Sequence, residues 1–238
     1  MALERLILVR HGESEGNVAA AEADRTHALR VAVPARDADV VLTALGREQA
    51  ADLGDRLARL DAAERPGAVR VSPYVRARET ASIALERAGL GLEPEVDERL
   101  RDRELGILDA LTWRGIVELH PDEAERRRWL GKYYHRPPGG ESWADVQLRV
   151  RSALHDLDGQ GGTVLVVCHD AVIWLFRAVL EHLGEQELLD AARRDPIKNA
   201  SLTVLERDGA GWRATLVNDV GHVEEPTVHG RESDDVHA

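Results

Sequence analysis

Residues 5–17 read RLILVRHGESEGN. Leu6, Ile7, Leu8 and Val9 form a short continuous apolar run, as expected of a strand buried on both faces in a parallel sheet. Polarity then reverses: Arg10, His11, Gly12, Glu13, Ser14, Gly16 and Asn17 bring a guanidinium, an imidazole and two glycines to the strand's end. Ligands of open α/β sheets bind at the carboxyl ends of the strands, which makes His11 the candidate for the reacting atom. A lone histidine after a strand is more often a structural hydrogen-bonding residue, so its role depends on what else reaches the same rim.

Two later stretches supply that company. Ala68–Val71 reads as a short strand, and Ser72-Pro73 predicts a helix start with Ser72 as cap and Pro73 in the first turn. Arg76 then lies at a strand's carboxyl end, within reach of an anion beside His11, whereas Arg78 fits a solvated surface. TVLVVC, residues 163–168, is a second fully apolar strand candidate, followed directly by His169 and Asp170 and then by the helical pattern AVIWLFRAVLEHL. Buried strand, histidine and helix therefore occur twice.

Between these points the punctuation is clear. LTALGREQA opens a helix with Thr43 as N-cap and Leu45, Gln49, Leu53, Leu57 and Leu60 on one side, ending before Pro66-Gly67. RPPGGESW, residues 136–143, is a loop before a helix whose Trp143, Val146, Val150, Leu154 and Leu157 face the core. Residues 201–208 and 211–219 read as two late strands in a hairpin. Two weakly patterned excursions, about 18–41 and 107–140, fall near the candidate site.

The strings Arg-His-Gly-Glu-Ser, SPYVRARETA and RPPGGES, with His169 after its strand, resemble the motifs of the histidine phosphatase superfamily, which includes the cofactor-dependent phosphoglycerate mutases. The resemblance spans about residues 5–218 and implies a three-layer, doubly wound, mostly parallel α/β sheet with helices on both faces, of the phosphoglycerate mutase-like kind. It makes residues 1–220 one histidine phosphatase domain and leaves 221–238 as a polar, acidic tail expected to be poorly ordered. By the same match, His11 is the nucleophile that forms a phosphohistidine, and Arg10, Arg76, Ser14, Asn17 and His169 bind phosphate.

The proton donor is left between two residues. Leu100 and Gly106 frame Asp102 at the spacing where the family motif carries a glutamate, one methylene longer. Asp170 resembles the donor of the acid-phosphatase branch, but also suits a cap on the following helix. Asp102 is preferred, because the donor then lies between the two phosphate motifs.

Composition narrows the function classes. Lys plus Arg is 31 against 43 Asp plus Glu, a formal charge of −12, which argues against a general nucleic-acid surface and makes any basic pocket local. The apolar runs are too short for a bilayer, and no signal-peptide pattern opens the sequence, so a cytoplasmic location is expected. Cys168 is the single cysteine and reads as a buried small hydrophobe. There is no Gly-x-x-x-x-Gly-Lys-Ser/Thr or Gly-x-Gly-x-x-Gly string, and His222, His229 and His237 lack a regular metal-ligand spacing. The expectation is a phosphatase acting on a phosphorylated small molecule without metal or cofactor, and without a nucleic-acid or membrane partner; a homodimer stays open. A 2,3-bisphosphoglycerate-dependent phosphoglycerate mutase is the enzymatic alternative, and a non-catalytic phosphate-binding module is the alternative of another class.

Overall fold

Residues 2–33, 36–209 and 211–228 are described by the computed structural model. Six strands form one sheet: β1 (Leu3–Arg10), β2 (Ala68–Val71), β3 (Glu95–Val96), β4 (Gly162–Cys168), β5 (Leu202–Asp208) and β6 (Gly211–Asp219), in the order β3-β2-β4-β1-β5-β6. The first four run parallel, β5 is antiparallel to β1, and β6 is antiparallel to β5. The helices are α1 (Glu15–Arg25), α2 (Ala44–Ala58), α3 (Val75–Ala88), α4 (Trp113–Leu119), α5 (Pro121–Tyr134), α6 (Trp143–Asp158), α7 (Asp170–Leu180) and α8 (Glu185–Arg194).

The period of two along the central strands builds the layers. In β1 and β4, Leu6, Leu8, Val164, Val166 and Cys168 pack with Val146 and Val150 of α6 and Trp174 and Phe176 of α7. The alternate residues Ile7, Val9, Leu165 and Val167 pack with Leu53 and Leu57 of α2 and Ala77 and Ala81 of α3. Both strand runs are apolar throughout because both faces are covered; a Leu→Ala change in such a strand costs about 2–5 kcal/mol. Among the described residues no helix is long and apolar enough to cross a membrane.

Several boundaries differ from those expected. Thr43 caps α2 through the Gly46 N–H at 2.9 Å, as its position predicts. Ser72, by contrast, does not cap α3: that helix starts at Val75 after Tyr74, and the Ser72 hydroxyl is spent on His169. Nor does Asp170 cap α7; His169 is the N-cap residue and Asp170 the first helical one. The excursion at 18–41 is α1 followed by a 3₁₀ turn at Asp37–Asp39, and the one at 107–140 is mostly α4 and α5. The helix α8 falls where no element was expected, between the α7 pattern and Pro196.

The segment after residue 220 departs from the expected loose tail as far as Val228. The Thr227 carbonyl accepts the Asn199 N–H at 2.9 Å, the Gln49 amide donates to the Glu225 carbonyl at 2.9 Å, and His222 Nε2 meets the Ala200 carbonyl at 3.0 Å. These hydrogen bonds tie it to α2 and to the residues just before β5. Residues 229–238, with His229 and His237, lie outside the described residues.

Candidate active site

β1, β2 and β4 all end on one rim, and α1, α3 and α7 begin there. Three helices therefore start from the same rim, and the positive dipole end of a helix N-terminus favours an anion. The cavity on this rim has a volume of about 440 Å³ and is lined by Arg10, His11, Ser14, Asn17, Arg76, Asp102 and Asp170 among others. The His169 ring adjoins it, with its centroid 5.2 Å from that of His11.

Close backbone approach fixes the His11 loop. A Cβ on Gly12 would run into the Gly46 carbonyl, and one on Gly46 into Glu13, so both positions must be glycine for the loop to lie against the start of α2. The Gly12 N–H donates to Thr80 Oγ1 at 3.0 Å, and the Asn199 amide donates to the His11 carbonyl at 3.1 Å. His11 Nδ1 lies 2.7 Å from the Gly12 carbonyl, which can only accept. Nδ1 therefore carries the proton, and Nε2 presents a lone pair, which receives the Arg76 Nε–H at 3.2 Å. Burial, followed by the charges of Arg76, His169 and Arg10, holds the His11 pKa well below the ordinary 6.5.

Arg10 and Arg76 supply the cations. Arg10 closes β1 and hydrogen-bonds the Ile197 carbonyl; burial lowers its pKa, opposed by Asp170 and Asp102. Arg76, in the first turn of α3, is gripped by Asp37 at 2.9 Å and Asp102 at 3.1 Å. Burial would lower the Arg76 pKa, but Asp37 and Asp102 more than offset it, and the net shift is upward. Tyr74 stacks its ring 4.9 Å from the guanidinium carbon and donates its hydroxyl to Glu104 at 2.7 Å.

The second histidine is oriented from its other nitrogen. His169 Nε2 is 2.8 Å from Ser72 Oγ, and Nδ1 is 3.4 Å from Asp102 Oδ2. Ser72 Oγ also accepts the Tyr74 N–H at 3.3 Å, which fixes the hydroxyl between Tyr74 and His169. Asp102 thus touches both Arg76 and His169, while its Oδ1 accepts the Arg103 N–H at 2.9 Å. The Asp102 loop is seated by Gly106, at φ +56°, where any Cβ would strike the Pro138 carbonyl. Gly106 and the Pro137–Gly140 turn therefore act as one unit, although they read as separate motifs.

Ser14 and Asn17 have unequal places. Ser14 caps α1 by accepting the Asn17 N–H at 3.3 Å and donates its hydroxyl to Asn17 Oδ1 at 2.9 Å. With Asn199 also donating to that oxygen at 3.3 Å, the Asn17 carboxamide is oriented by its acceptor end. Ser14 thus spends its hydroxyl on the cap and on Asn17. Asp37, Ser72, Thr80 and Asn199 were not among the candidate residues. Asp37 lay in a stretch without periodicity, Ser72 was read as a helix start, and Thr80 as one residue of a helix. Asn199 followed Pro196 with no local signal.

The rest of the cavity lining differs in character. Trp143, Leu105, Leu189, Ala192, Pro196 and Val228 are apolar, with Lys132, Arg103 and Arg193 among them. α5 breaks its helical conformation at Gly131 (φ 76°, ψ 160°), immediately before Lys132.

Comparison with known proteins agrees with this arrangement. The family profile described as the histidine phosphatase superfamily (branch 1) matches residues 6–220. A probable phosphoglycerate mutase, GpmB, of Salmonella paratyphi C is 29% identical over 233 residues, covering 94% of this chain and 97% of that protein. The structure of YhfR from Bacillus stearothermophilus superposes with a TM-score of 0.70 at 29% identity, covering 92% of this chain and 99% of the other. A mycobacterial glucosyl-3-phosphoglycerate phosphatase, solved with VO3, superposes with a TM-score of 0.70 at 27% identity, covering 90% and 99% respectively.

Proposed function

The chain belongs to branch 1 of the histidine phosphatase superfamily, and from that premise we propose that it is a phosphatase that hydrolyses a phosphomonoester through a phosphohistidine on His11. The observation that carries the proposal is the His11 ring: Nδ1 anchored on the Gly12 carbonyl and Nε2 held neutral between buried arginines. A neutral imidazole whose Nε2 lone pair faces a cationic cage is a nucleophile matched to a doubly negative phosphoryl group.

In the first step Nε2 attacks phosphorus in line; the N–P bond forms as the P–O bond to the leaving group breaks. The departing oxygen takes a proton from a carboxylic acid, which we assign to Asp102 because it lies in the cavity against Arg76 and His169. In the second step Asp102 accepts a proton from water, the water oxygen attacks phosphorus, and the P–N bond breaks to return neutral His11. Arg10, Arg76, His169, Asn17 and the helix N-termini hold the equatorial oxygens, where most of the transition-state charge resides. These groups supply the positive charge the reaction needs, so the proposed mechanism uses no metal or cofactor. A cytoplasmic location belongs to the same proposal, supported by a buried, unpaired Cys168.

Phosphatase is preferred to mutase on the Gly16-Asn17 pair and the RPPGGESW loop; among the relatives, the mycobacterial phosphatase supports this reading and the probable phosphoglycerate mutase GpmB the alternative. Phosphate release from a panel of alkyl and aryl phosphomonoesters, in EDTA, tests this beside 3-phosphoglycerate with and without 2,3-bisphosphoglycerate. Hydrolysis that persists in EDTA is expected. Interconversion of phosphoglycerates much faster than phosphate release from every ester contradicts it.

A further inference from the structure

Counting donors at Arg76 brings out a residue that the chemistry above does not use. A guanidinium has five N–H bonds. Here Nε donates to His11 Nε2 at 3.2 Å; Nη1 donates to the Asp37 backbone carbonyl at 2.7 Å and to Asp37 Oδ1 at 2.9 Å; Nη2 donates to Asp37 Oδ2 at 3.4 Å and Asp102 Oδ2 at 3.1 Å. All five have acceptors, and they divide by direction. The side fork, Nε and one Nη2 hydrogen, faces His11 and Asp102 across the cavity. The end fork, Nη1 and the other Nη2 hydrogen, is clasped by the Asp37 carboxylate.

We propose that Asp37 is a positioning residue: by holding the end fork of Arg76 it presents the side fork to the phosphoryl oxygens. This rests on the phosphatase reading above. Three features support it. The pair is shielded, with side-chain exposures of 4% for Arg76 and 13% for Asp37, so water competes poorly for its hydrogen bonds. The grip is double, from the Asp37 carboxylate and its own backbone carbonyl, so the side chain and the 3₁₀ turn at Asp37–Asp39 are fixed together. Paired hydrogen bonds match the planar fork and define its orientation, which a point charge does not.

The arrangement also assigns the change that must accompany binding. At rest the Nε–H of Arg76 occupies the His11 lone pair. An arriving phosphoryl oxygen takes that N–H, and Nε2 is released to attack as the cage fills, while the Asp37 contacts persist. The opposite role, a carboxylate plug that competes with phosphate for Arg76, makes the reverse prediction.

Asp37→Asn keeps the shape and the backbone contact but removes the charge. Binding of inorganic phosphate by calorimetry, kcat and KM for p-nitrophenyl phosphate, and the thermal midpoint are measured on it and on Asp37→Glu. The expected result for Asp37→Asn is about 10-fold weaker phosphate binding and a loss of about 10- to 100-fold in kcat/KM, shared between kcat and KM. Asp37→Glu, which restores the charge, is expected to recover part of both. Tighter phosphate binding in Asp37→Asn identifies a plug and overturns the proposal. A lowered midpoint with phosphate affinity and kcat intact identifies a structural residue and also overturns it. Calorimetry reads the cage without turnover: a wild-type chain that binds phosphate yet hydrolyses no ester defeats the phosphatase reading while the Asp37 comparison still stands.

Discussion

His11 and His169 occupy equivalent places, each directly after a buried parallel strand, yet they offer the cavity opposite ring nitrogens. His11 is tied through Nδ1 to the carbonyl of its own loop, and Nε2 faces Arg76. His169 is tied through Nε2 to the hydroxyl of Ser72, from the end of a different strand, and Nδ1 faces Asp102. At His11 the anchoring partner decides the tautomer, and the tautomer decides the role. A carbonyl anchor leaves His11 with a lone pair to attack. A hydroxyl both donates and accepts, so the Ser72 anchor orients the His169 ring without fixing its tautomer.

The largest effect expected from breaking this comparison is at His11. His11→Ala should lower turnover by about 10⁴-fold or more with the fold intact, since the covalent path is lost. A circular dichroism spectrum beside the rate measurement separates this from unfolding. The acid limb of kcat/KM in the wild-type chain should lie well below pH 6.5, because His11 is held neutral and acts only as the unprotonated base.

Next in size is the proton donor. Asp102→Asn should slow an alkyl phosphate by about 10²- to 10⁴-fold and p-nitrophenyl phosphate far less, since a nitrophenolate leaves unaided. Asp170→Asn should affect both esters alike. The reverse pattern moves the donor to Asp170, which also lines the cavity.

His169→Ala should cost about 10²- to 10³-fold, the usual loss for one donor to a developing oxyanion. Unlike His11→Ala it should still form the phosphoenzyme. The smallest effect is at the anchor: Ser72→Ala should lower kcat about 2- to 10-fold, the worth of one neutral hydrogen bond. A Ser72→Ala loss as great as that of His169→Ala indicates that the hydroxyl itself meets the phosphate.

What could be read from the sequence divides along the same line. The central strands were legible because burial on both faces demands unbroken apolar runs, and LILV and TVLVVC satisfy that in few other ways. Thr43 and the RPPGGESW turn were legible because caps and turns are local chemistry. The residues that hold the site's arginine, histidine and asparagine from behind were not. Asp37 meets Arg76, Ser72 meets His169 and Asn199 meets Asn17 only because the fold brings segments distant in sequence together, and sequence spacing does not encode those pairings. Ser72 was misread for the opposite reason, since its good local role as a helix cap is overridden by its contact with His169, while Asp170 is the first residue of α7 because the helix begins one residue earlier than the pattern suggests.

The central claim is that Nε2 of His11, not any group on His169, becomes covalently bonded to phosphorus. Brief reaction with a ³²P-labelled phosphomonoester, an alkaline quench and peptide mapping tests it most directly. The account predicts an acid-labile, alkali-stable label on the peptide carrying His11, present in His169→Ala and absent in His11→Ala. A label on the His169 peptide, or full turnover by His11→Ala, would contradict it.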